Sequence, residues 1–122
     1  MLSCIVALQE QQIWKKISNQ KIKKMENSFQ HHIDGDLPVV VDFFADWCAP
    51  CKDMLPVLSN VKHVVGETAT ILKMNIDKNR FYANQFSIQS IPTLIIFKKG
   101  KVIWRKSGIT SAGEIIQQLA PL

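Results

Sequence analysis

Apolar and polar residues form two different patterns in the middle of the chain. Residues 38–45 (PVVVDFFA) are apolar apart from Asp42, a pattern typical of a strand buried on both faces of a sheet. In residues 50–65 the apolar side chains recur at intervals of three and four, which predicts an amphipathic helix of about four turns that ends at Gly66. The apolar positions of this helix are Met54, Val57, Leu58, Val61, Val64 and Val65.

Shorter segments complete the predicted fold. They are a helix at 27–33 that Asn27 or Ser28 caps and 34–36 break, a strand at 70–76, a helix at 79–86, strands at 92–98 and 102–106, and a helix at 111–119. Lys99-Gly100 predicts a tight hairpin, which makes the last two strands antiparallel. Ser111 and Glu114 have the spacing of a capping box. We therefore predict an α/β fold, with a central mixed β-sheet flanked by helices on both faces.

Residues 1–24 differ from the rest of the chain. A weak helical pattern places Ile13, Trp14 and Ile17 on one side. We interpret this segment as an N-terminal extension, helical or non-native, with a partner-binding helix as the alternative, and we assign residues 25–122 to one domain. The apolar patch near the start has no basic residues before it and no clear small-residue cleavage site, so a signal peptide is not expected.

Length, hydropathy and charge argue against several classes of protein. A chain of 122 residues has the size of one domain, and no apolar stretch approaches the roughly 18 residues that span a bilayer. Five lysines against Glu10 give residues 1–24 a charge of +4, out of +5 for the whole chain. The remaining residues are nearly neutral, so we expect neither nucleic acid nor a membrane as a partner.

The chain has three cysteines, Cys4, Cys48 and Cys51. This number does not form the disulfide framework of a small secreted domain, so we expect a reducing, cytoplasmic environment and interpret Cys4 as an incidental thiol. In such an environment a Cys-x-x-Cys pair is catalytic or binds metal. A zinc site needs two further ligands, and no metal is expected because the remaining candidates lack the usual paired spacing. Those candidates are Cys4, His31, His32 and His63.

Cys48 and Cys51 lie where the buried strand is expected to turn into the long helix. Cys48 then falls at or near the N-cap and Cys51 in the first turn. Residues three apart on a helix have Cβ atoms about 5 to 6 Å apart, so a disulfide can close there with little backbone movement. Unpaired N–H groups and the positive helix end favour an anion at the Cys48 sulfur. Cys48 is therefore predicted to be the nucleophile.

Asp42 is the one charged residue in the buried strand. A carboxylate in apolar surroundings is costly to bury and usually becomes neutral through a raised pKa. We expect Asp42 to be buried in this way, and the alternative is an Asp at the edge of a strand that faces water.

At these residues the chain resembles the thioredoxin family. The resemblance covers about residues 27–120 and rests on separated motifs, which are the strand VVVDFFADW, the Cys pair, Lys73-Met74-Asn75-Ile76-Asp77, Ser90-Ile91-Pro92-Thr93, Lys98-Lys99-Gly100 and Gly108. It implies the thioredoxin fold and a thiol–disulfide oxidoreductase that reduces protein disulfides. In the implied cycle the Cys48 thiolate attacks a substrate disulfide, and Cys51, expected to be the more buried, resolves the mixed disulfide.

The resemblance also implies roles for residues around the pair. Asp42 moves the proton of Cys51, and Lys73 is the partner of Asp42. A cis peptide is implied at Ile91-Pro92 beside the cysteines, although the sequence alone favours a trans turn. A partly exposed Trp is expected at the substrate face, with a core Trp as the alternative. The residues implied to bind substrate are Trp47, Ala49, Pro50, Ile91, Pro92 and Gly108.

Three positions depart from the common pattern of the family. Ala49 replaces the usual Gly between the cysteines, Phe44 stands where Trp is frequent, and Ser90 stands where Gly often precedes the Ile-Pro pair. The residues between the cysteines help to set the redox potential, so Ala49 leaves its value open. Pro56 removes a backbone N–H inside the long helix, which predicts a kink.

The implied partners are thioredoxin reductase and proteins that contain disulfide bonds. No bound cofactor is expected, because NADPH would recycle the redox-active disulfide indirectly, and the chain is expected to be a monomer. Two alternatives remain open. One is an exported thiol:disulfide oxidase or isomerase of the same fold, which a signal peptide would favour. The other is a binding module with idle cysteines, against which the joint presence of Cys48, Cys51, Asp42 and Pro92 argues.

Overall fold

The computed structural model of the chain describes residues 28–122. Residues His32–Leu122 form one compact unit, which contains every strand described below. The predicted N-terminal extension, its weak helical pattern and Cys4 lie outside the described residues. Within the described part, none of the helices is long and apolar enough to cross a membrane.

Within residues 28–122, four strands form one mixed sheet. They are β1 (Val39–Phe44), β2 (Thr70–Asn75), β3 (Thr93–Lys98) and β4 (Lys101–Ser107), in the spatial order β2-β1-β3-β4. β1 and β2 run parallel, and the other two neighbouring pairs are antiparallel. Each strand begins and ends within one residue of its predicted bounds, and the predicted mixed sheet is confirmed.

The helices are α1 (residues 28–34), α2 (Ala49–Val65), α3 (Arg80–Gln85) and α4 (Ala112–Leu119), and a short 3-10 helix, Gly66–Thr68, follows α2. Asp34 was predicted to lie in the break after α1 but is its last helical residue. Glycine breaks a helix more strongly than aspartate, so the break begins at Gly35. Gly66 ends α2 as predicted, with a positive φ of 55°. Pro56 lies inside α2, and the kink there stays a prediction.

The predicted capping box of α4 forms in one direction. The Ser111 hydroxyl accepts the Glu114 N–H at 3.2 Å, as an N-cap side chain does. The Glu114 carboxylate accepts two hydrogen bonds from Lys106 Nζ, at 2.7 and 2.9 Å. A charged partner on β4 thus takes the place that the capping box assigns to the Ser111 N–H.

Helices cover both faces of the sheet. Val40 and Ile96 pack in one core with residues of α2 and α4. Phe43 points to the opposite face by the alternation of a strand, and there Phe86, directly after α3, lies with its ring centre 6.1 Å from that of Phe43 and 5.0 Å from that of Phe97. The prediction of helices on both faces is confirmed.

Val64 was predicted on the buried side of α2 and is 62% exposed. The buried residues of the helix are Cys51, Met54, Leu58 and Val61. Their spacing of three, four and three continues to Val65, which is half-buried. Val64 therefore lies on the flank of the apolar stripe, one residue short of its centre.

The β3–β4 hairpin depends on a glycine at position 100. Lys99 and Gly100 both have positive φ, 53° and 78°, as the two-residue turn that matches the strand twist requires. A Cβ at position 100 would also lie 2.8 Å from Asp34 Oδ1. We expect Gly100→Ala to lower the free energy of unfolding by about 1 to 2 kcal/mol.

Urea unfolding of both Gly100→Ala and Gly113→Ala checks this expectation. Gly113 lies in α4, and an added Cβ there meets no atom within 4 Å. Alanine at this helical site should raise stability by about 0.5 to 1 kcal/mol. A shift in the same direction for both variants would contradict the assignment of strain to the hairpin.

Candidate active site

The turn between β1 and α2 places Cys48 at the start of the helix. The Cys48 N–H donates to the Ala45 carbonyl at 3.2 Å, and Cys48 has the extended backbone (φ −90°, ψ 108°) of an N-cap residue. The Cys51 N–H donates to Cys48 Sγ at 3.2 Å. Pro50 in the first turn has no N–H to leave unpaired. The predicted N-cap position of Cys48 is confirmed.

Cys48 and Cys51 form a disulfide bond, with Cα atoms 5.3 Å apart. Both residues are only 4% exposed. The expectation that Cys51 is the more buried is wrong for this oxidised form, because the same neighbouring residues bury both bonded cysteines. Those neighbours are Phe44, Ala45, Ile76 and Ile91.

The first turn of α2 carries no acidic side chain. The partial positive charge of the helix N-terminus is therefore not neutralised within that turn, and in the reduced protein it favours a thiolate at Cys48. The Cys51 N–H, which points at Cys48 Sγ, stabilises the same anion by a hydrogen bond. The local geometry thus favours Cys48 as the attacking sulfur.

Asp42 is fully buried, with 0% of its surface exposed. Neither carboxylate oxygen has a hydrogen-bond partner among residues 28–122. Burial raises the pKa of Asp42 from 3.8 to about 6, and the positive charge of Lys73 opposes that rise. The alternative of a water-facing Asp at a strand edge is wrong, because β1 lies between β2 and β3. A carboxyl group with this pKa can accept and release a proton near neutral pH.

A cavity of about 190 Å³ lies beside Cys51. Lys73 lies opposite Asp42 in the register of the parallel β1–β2 pair, and its Nζ is 4.5 Å from the centre of the Phe44 ring. The residues that line the cavity are Phe44, Ala45, Asp46, Cys51, Lys52, Leu55 and Lys73. Lys73 therefore contributes both to the wall of this cavity and to the electrostatic environment of Asp42.

The turn before β3 approaches the disulfide. The Ile91–Pro92 peptide is cis, as the resemblance implied, so the trans turn is wrong. Ile91 packs against the disulfide, and the Pro92 carbonyl accepts the Gly108 N–H at 2.8 Å. The Thr93 hydroxyl donates to the Ser90 carbonyl at 2.6 Å. The turn is thereby held between the Cys pair and the end of β4.

Trp47 is 70% exposed, so the core alternative is wrong. Its indole Nε1 donates to Asp77 Oδ2 at 2.9 Å, and the Asp77 N–H donates to Asn75 Oδ1 at 2.9 Å. Neither Asp77 nor Asn75 was predicted as a site residue. The available signal was position, because both lie at the carboxyl end of β2, the strand parallel to β1, and thus at the edge of the sheet that carries the Cys turn.

The predicted substrate-binding residues differ in their solvent exposure. Trp47, Ala49 and Pro50 are exposed, Ile91 and Gly108 are half-buried, and Pro92 is buried. Within residues 28–122, no three His, Cys, Asp or Glu side chains lie close enough together to hold a metal ion.

A disulfide between the N-cap and the first turn of a helix, together with a buried carboxyl group on the preceding strand, is typical of a thiol–disulfide oxidoreductase. Residues 20–121 match the model of the family described as Thioredoxin. The chain is 43% identical over 93 residues to thioredoxin of Alicyclobacillus acidocaldarius, a match that covers 76% of this chain and 89% of that protein. It is 38% identical over 101 residues to thioredoxin Y, chloroplastic, of Oryza sativa, covering 82% of this chain and 60% of that protein. The chain belongs to the thioredoxin family, and its activity is that of a protein-disulfide reductase.

A solved structure supports the fold separately. A chain from a structural study of the thiol resolving mechanism of yeast mitochondrial 1-Cys peroxiredoxin via glutathione/thioredoxin systems matches with a TM-score of 0.71 and 24% identity, over 79% of this chain and 89% of that chain. This likeness concerns the fold alone, and the predicted thioredoxin fold is confirmed. The family favours a redox enzyme over a binding module, and none of these similarities favours an exported oxidase or isomerase.

Proposed function

We propose that this chain is a monomeric reductant of disulfide bonds in cytoplasmic proteins and is recycled by an NADPH-dependent thioredoxin reductase. The observation that carries the proposal is the Cys48–Cys51 disulfide at the start of α2. In this role the chain carries electrons from NADPH to protein disulfides and contributes to cell redox homeostasis, with the disulfide itself in place of a bound cofactor. The three-cysteine composition supports a reducing compartment.

The proposed reaction has two displacement steps. The Cys48 thiolate attacks one sulfur of a substrate disulfide, so a Cys48–substrate bond forms while the other substrate sulfur leaves and takes up a proton. Cys51 then loses its proton and attacks Cys48 Sγ, which releases the second substrate sulfur as a thiol. The electron pair passes to the substrate, and the Cys48–Cys51 disulfide is left in the protein.

Asp42 is proposed to take the proton of Cys51 in the second step and to return it during reduction. Its complete burial and its pKa of about 6 support this role, because proton transfer is most efficient when the pKa lies near the working pH. Lys73, opposite Asp42 on β2, is proposed to favour the charged form of that carboxyl group.

Residues around the disulfide are proposed to bind an extended segment of the substrate. Trp47, Ala49 and Pro50 present exposed surface at the start of α2. Ile91 packs against the disulfide, and the Gly108 N–H donates to the Pro92 carbonyl. An extended peptide laid across the disulfide would meet both groups. We further propose that residues 25–122 form the catalytic domain and that residues 1–24 are an extension of it.

Reduction of insulin coupled to NADPH tests the recycling. With a bacterial thioredoxin reductase, NADPH and insulin, we expect NADPH to be consumed only when the chain is present. Dithiothreitol in place of the reductase and NADPH is the matched control. Insulin reduction with dithiothreitol but not with the reductase and NADPH would contradict recycling by this reductase. No insulin reduction under either condition would contradict the assignment of this chain as a protein-disulfide reductase.

Equilibration with glutathione tests the direction of the reaction. The fraction of closed disulfide measured in glutathione buffers gives the reduction potential of the Cys pair. A reductant should remain largely oxidised in a buffer at the cytoplasmic glutathione potential, because its own potential is lower. A potential near that of the strongly oxidising exported family members would contradict the proposal, as would recovery of the chain from the exported fraction of its cells.

A further inference from the structure

Three side chains of the candidate site share one face of the sheet. Asp42 and Phe44 are two residues apart on β1, and Lys73 on β2 pairs with Asp42 in the parallel register. Side chains two apart on a strand, and those of directly paired residues, point to the same face. The Lys73 ammonium lies over the Phe44 ring, with Nζ 4.5 Å from its centre, inside the range of a cation–π interaction.

The Lys73 ammonium contacts the Phe44 ring. Among residues 28–122, no hydrogen bond or ion pair involves the Lys73 ammonium, and neither Asp42 oxygen has a hydrogen-bond partner. Lys73 is exposed, and a lysine side chain free of contacts extends its ammonium into water. The effect of this charge on Asp42 acts through space and depends on where the ammonium rests.

We propose that Phe44 is a positioning residue, whose ring holds the Lys73 ammonium on the side of the sheet where Asp42 is buried. The ring thereby lowers, against the larger effect of burial, the pH range in which Asp42 exchanges a proton with Cys51. This inference rests on the proposed role of Asp42.

Lys73 is the charged residue through which the Phe44 ring can affect Asp42. From β3 the residue opposite Asp42 is Leu94, which is apolar. From α2 and the turn before it, Cys51, Lys52 and Asp46 line the same cavity as Lys73 and Phe44. Of the charged residues in that lining, Lys73 is the one stacked on an aromatic ring and the one whose charge opposes the rise in the pKa of Asp42.

The pKa of Asp42 in variants of the full chain tests the proposal. It is measured from the pH dependence of the carboxyl carbon signal by NMR in the oxidised protein, in which neither cysteine titrates. Phe44→Leu keeps an apolar side chain but removes the ring, so Lys73 moves away and the pKa of Asp42 should rise by about half a pH unit. Phe44→Trp, which keeps an aromatic face, should leave it near its original value.

A double-mutant cycle separates the cation–π contact from packing. Lys73→Met removes the charge, so Phe44→Leu should produce no further rise in the Lys73→Met background. An equal rise in both backgrounds would overturn the proposal, because the effect would then come from altered burial. A second readout is the upfield ring-current shift of the Lys73 Cε protons, which Phe44→Leu should abolish, and its absence in the unsubstituted chain would also overturn the proposal.

These measurements are independent of the proposed reaction. They use the oxidised chain without substrate, so they report only on the ring, the ammonium and the carboxyl group. If Asp42→Asn reduced insulin at the full rate, the role of Asp42 would fail while the titration could still locate Lys73 on the ring. If Phe44→Leu shifts the titration of Asp42 as expected while Asp42→Asn keeps full activity, the proposed role of Asp42 is wrong. If Asp42→Asn loses activity while Phe44→Leu leaves the titration of Asp42 unchanged, the proposed role of Phe44 is wrong.

Discussion

Replacing Cys48 by Ser should lower the rate of insulin reduction at least about 1,000-fold, because the attacking sulfur is lost. Cys51→Ser should also abolish turnover, but for a different reason. Cys48 remains at the N-cap, where the helix start favours its thiolate, so the first displacement still occurs. Without the second sulfur the mixed disulfide should accumulate, and mass spectrometry of the protein after exposure to substrate should detect it.

Cys4→Ser is the matched control for the two cysteine variants. Cys4 has no partner at Cys-x-x-Cys spacing, and its replacement should leave the rate unchanged. A mixed disulfide trapped on Cys51 in the Cys48→Ser variant, at the rate of the unsubstituted chain, would contradict the order of attack. Equal turnover in all variants would show that the Cys48–Cys51 bond has no part in the reaction.

Asp42→Asn should raise the free energy of unfolding at pH 8 by about 3 kcal/mol. The pKa of Asp42 is about 6 in the folded protein and 3.8 as the ordinary value, and each unit corresponds to about 1.4 kcal/mol. Since the folded-state pKa is the higher, the folded protein binds more protons between these values. The stability that the neutral Asp42 carboxyl group contributes is therefore fully present below about pH 4 and is lost as the pH rises through about 6.

Urea unfolding between pH 4 and pH 8 checks this expectation. The gain from Asp42→Asn should be small at pH 4, where the carboxyl group of the folded protein is neutral, and should reach its full size at pH 8. Asp53→Asn is the matched control, because Asp53 is exposed on α2 and its replacement should change stability by less than about 0.5 kcal/mol at either pH. A gain from Asp42→Asn that does not depend on pH would show that packing, and not charge, explains it.

The same variant should be a slower reductant. Asn cannot accept a proton from Cys51, so the second displacement should slow by up to about 100-fold and the rate should lose its dependence on a group with a pKa near 6. A more stable but less active protein is the expected signature of a charge buried for catalysis.

Secondary structure was predictable because it follows from the local pattern of apolar and polar residues along the chain. The continuous apolar run of β1 and the spacing of three and four in α2 each reflect what one face of an element buries, so both elements appear at the predicted positions. The errors lie where a stripe or a helix ends. Val64 and Asp34 were misassigned because the last turn of a helix depends on which neighbours reach it.

The sequence by itself determined the chemistry of the pair: two cysteines three apart at a strand-to-helix turn, and one acidic residue in a strand that otherwise buries its side chains. Only the tertiary structure decided what surrounds them. Trp47 and Asp77 form a hydrogen bond although they are 30 residues apart in the chain. The Gly108 N–H, directly after β4, donates to the Pro92 carbonyl, directly before β3.

The physical reason is that periodicity records burial, whereas a contact between distant residues depends on strand order and register. The resting place of the Lys73 ammonium over Phe44 follows from the parallel pairing of β1 with β2, which no local pattern specifies.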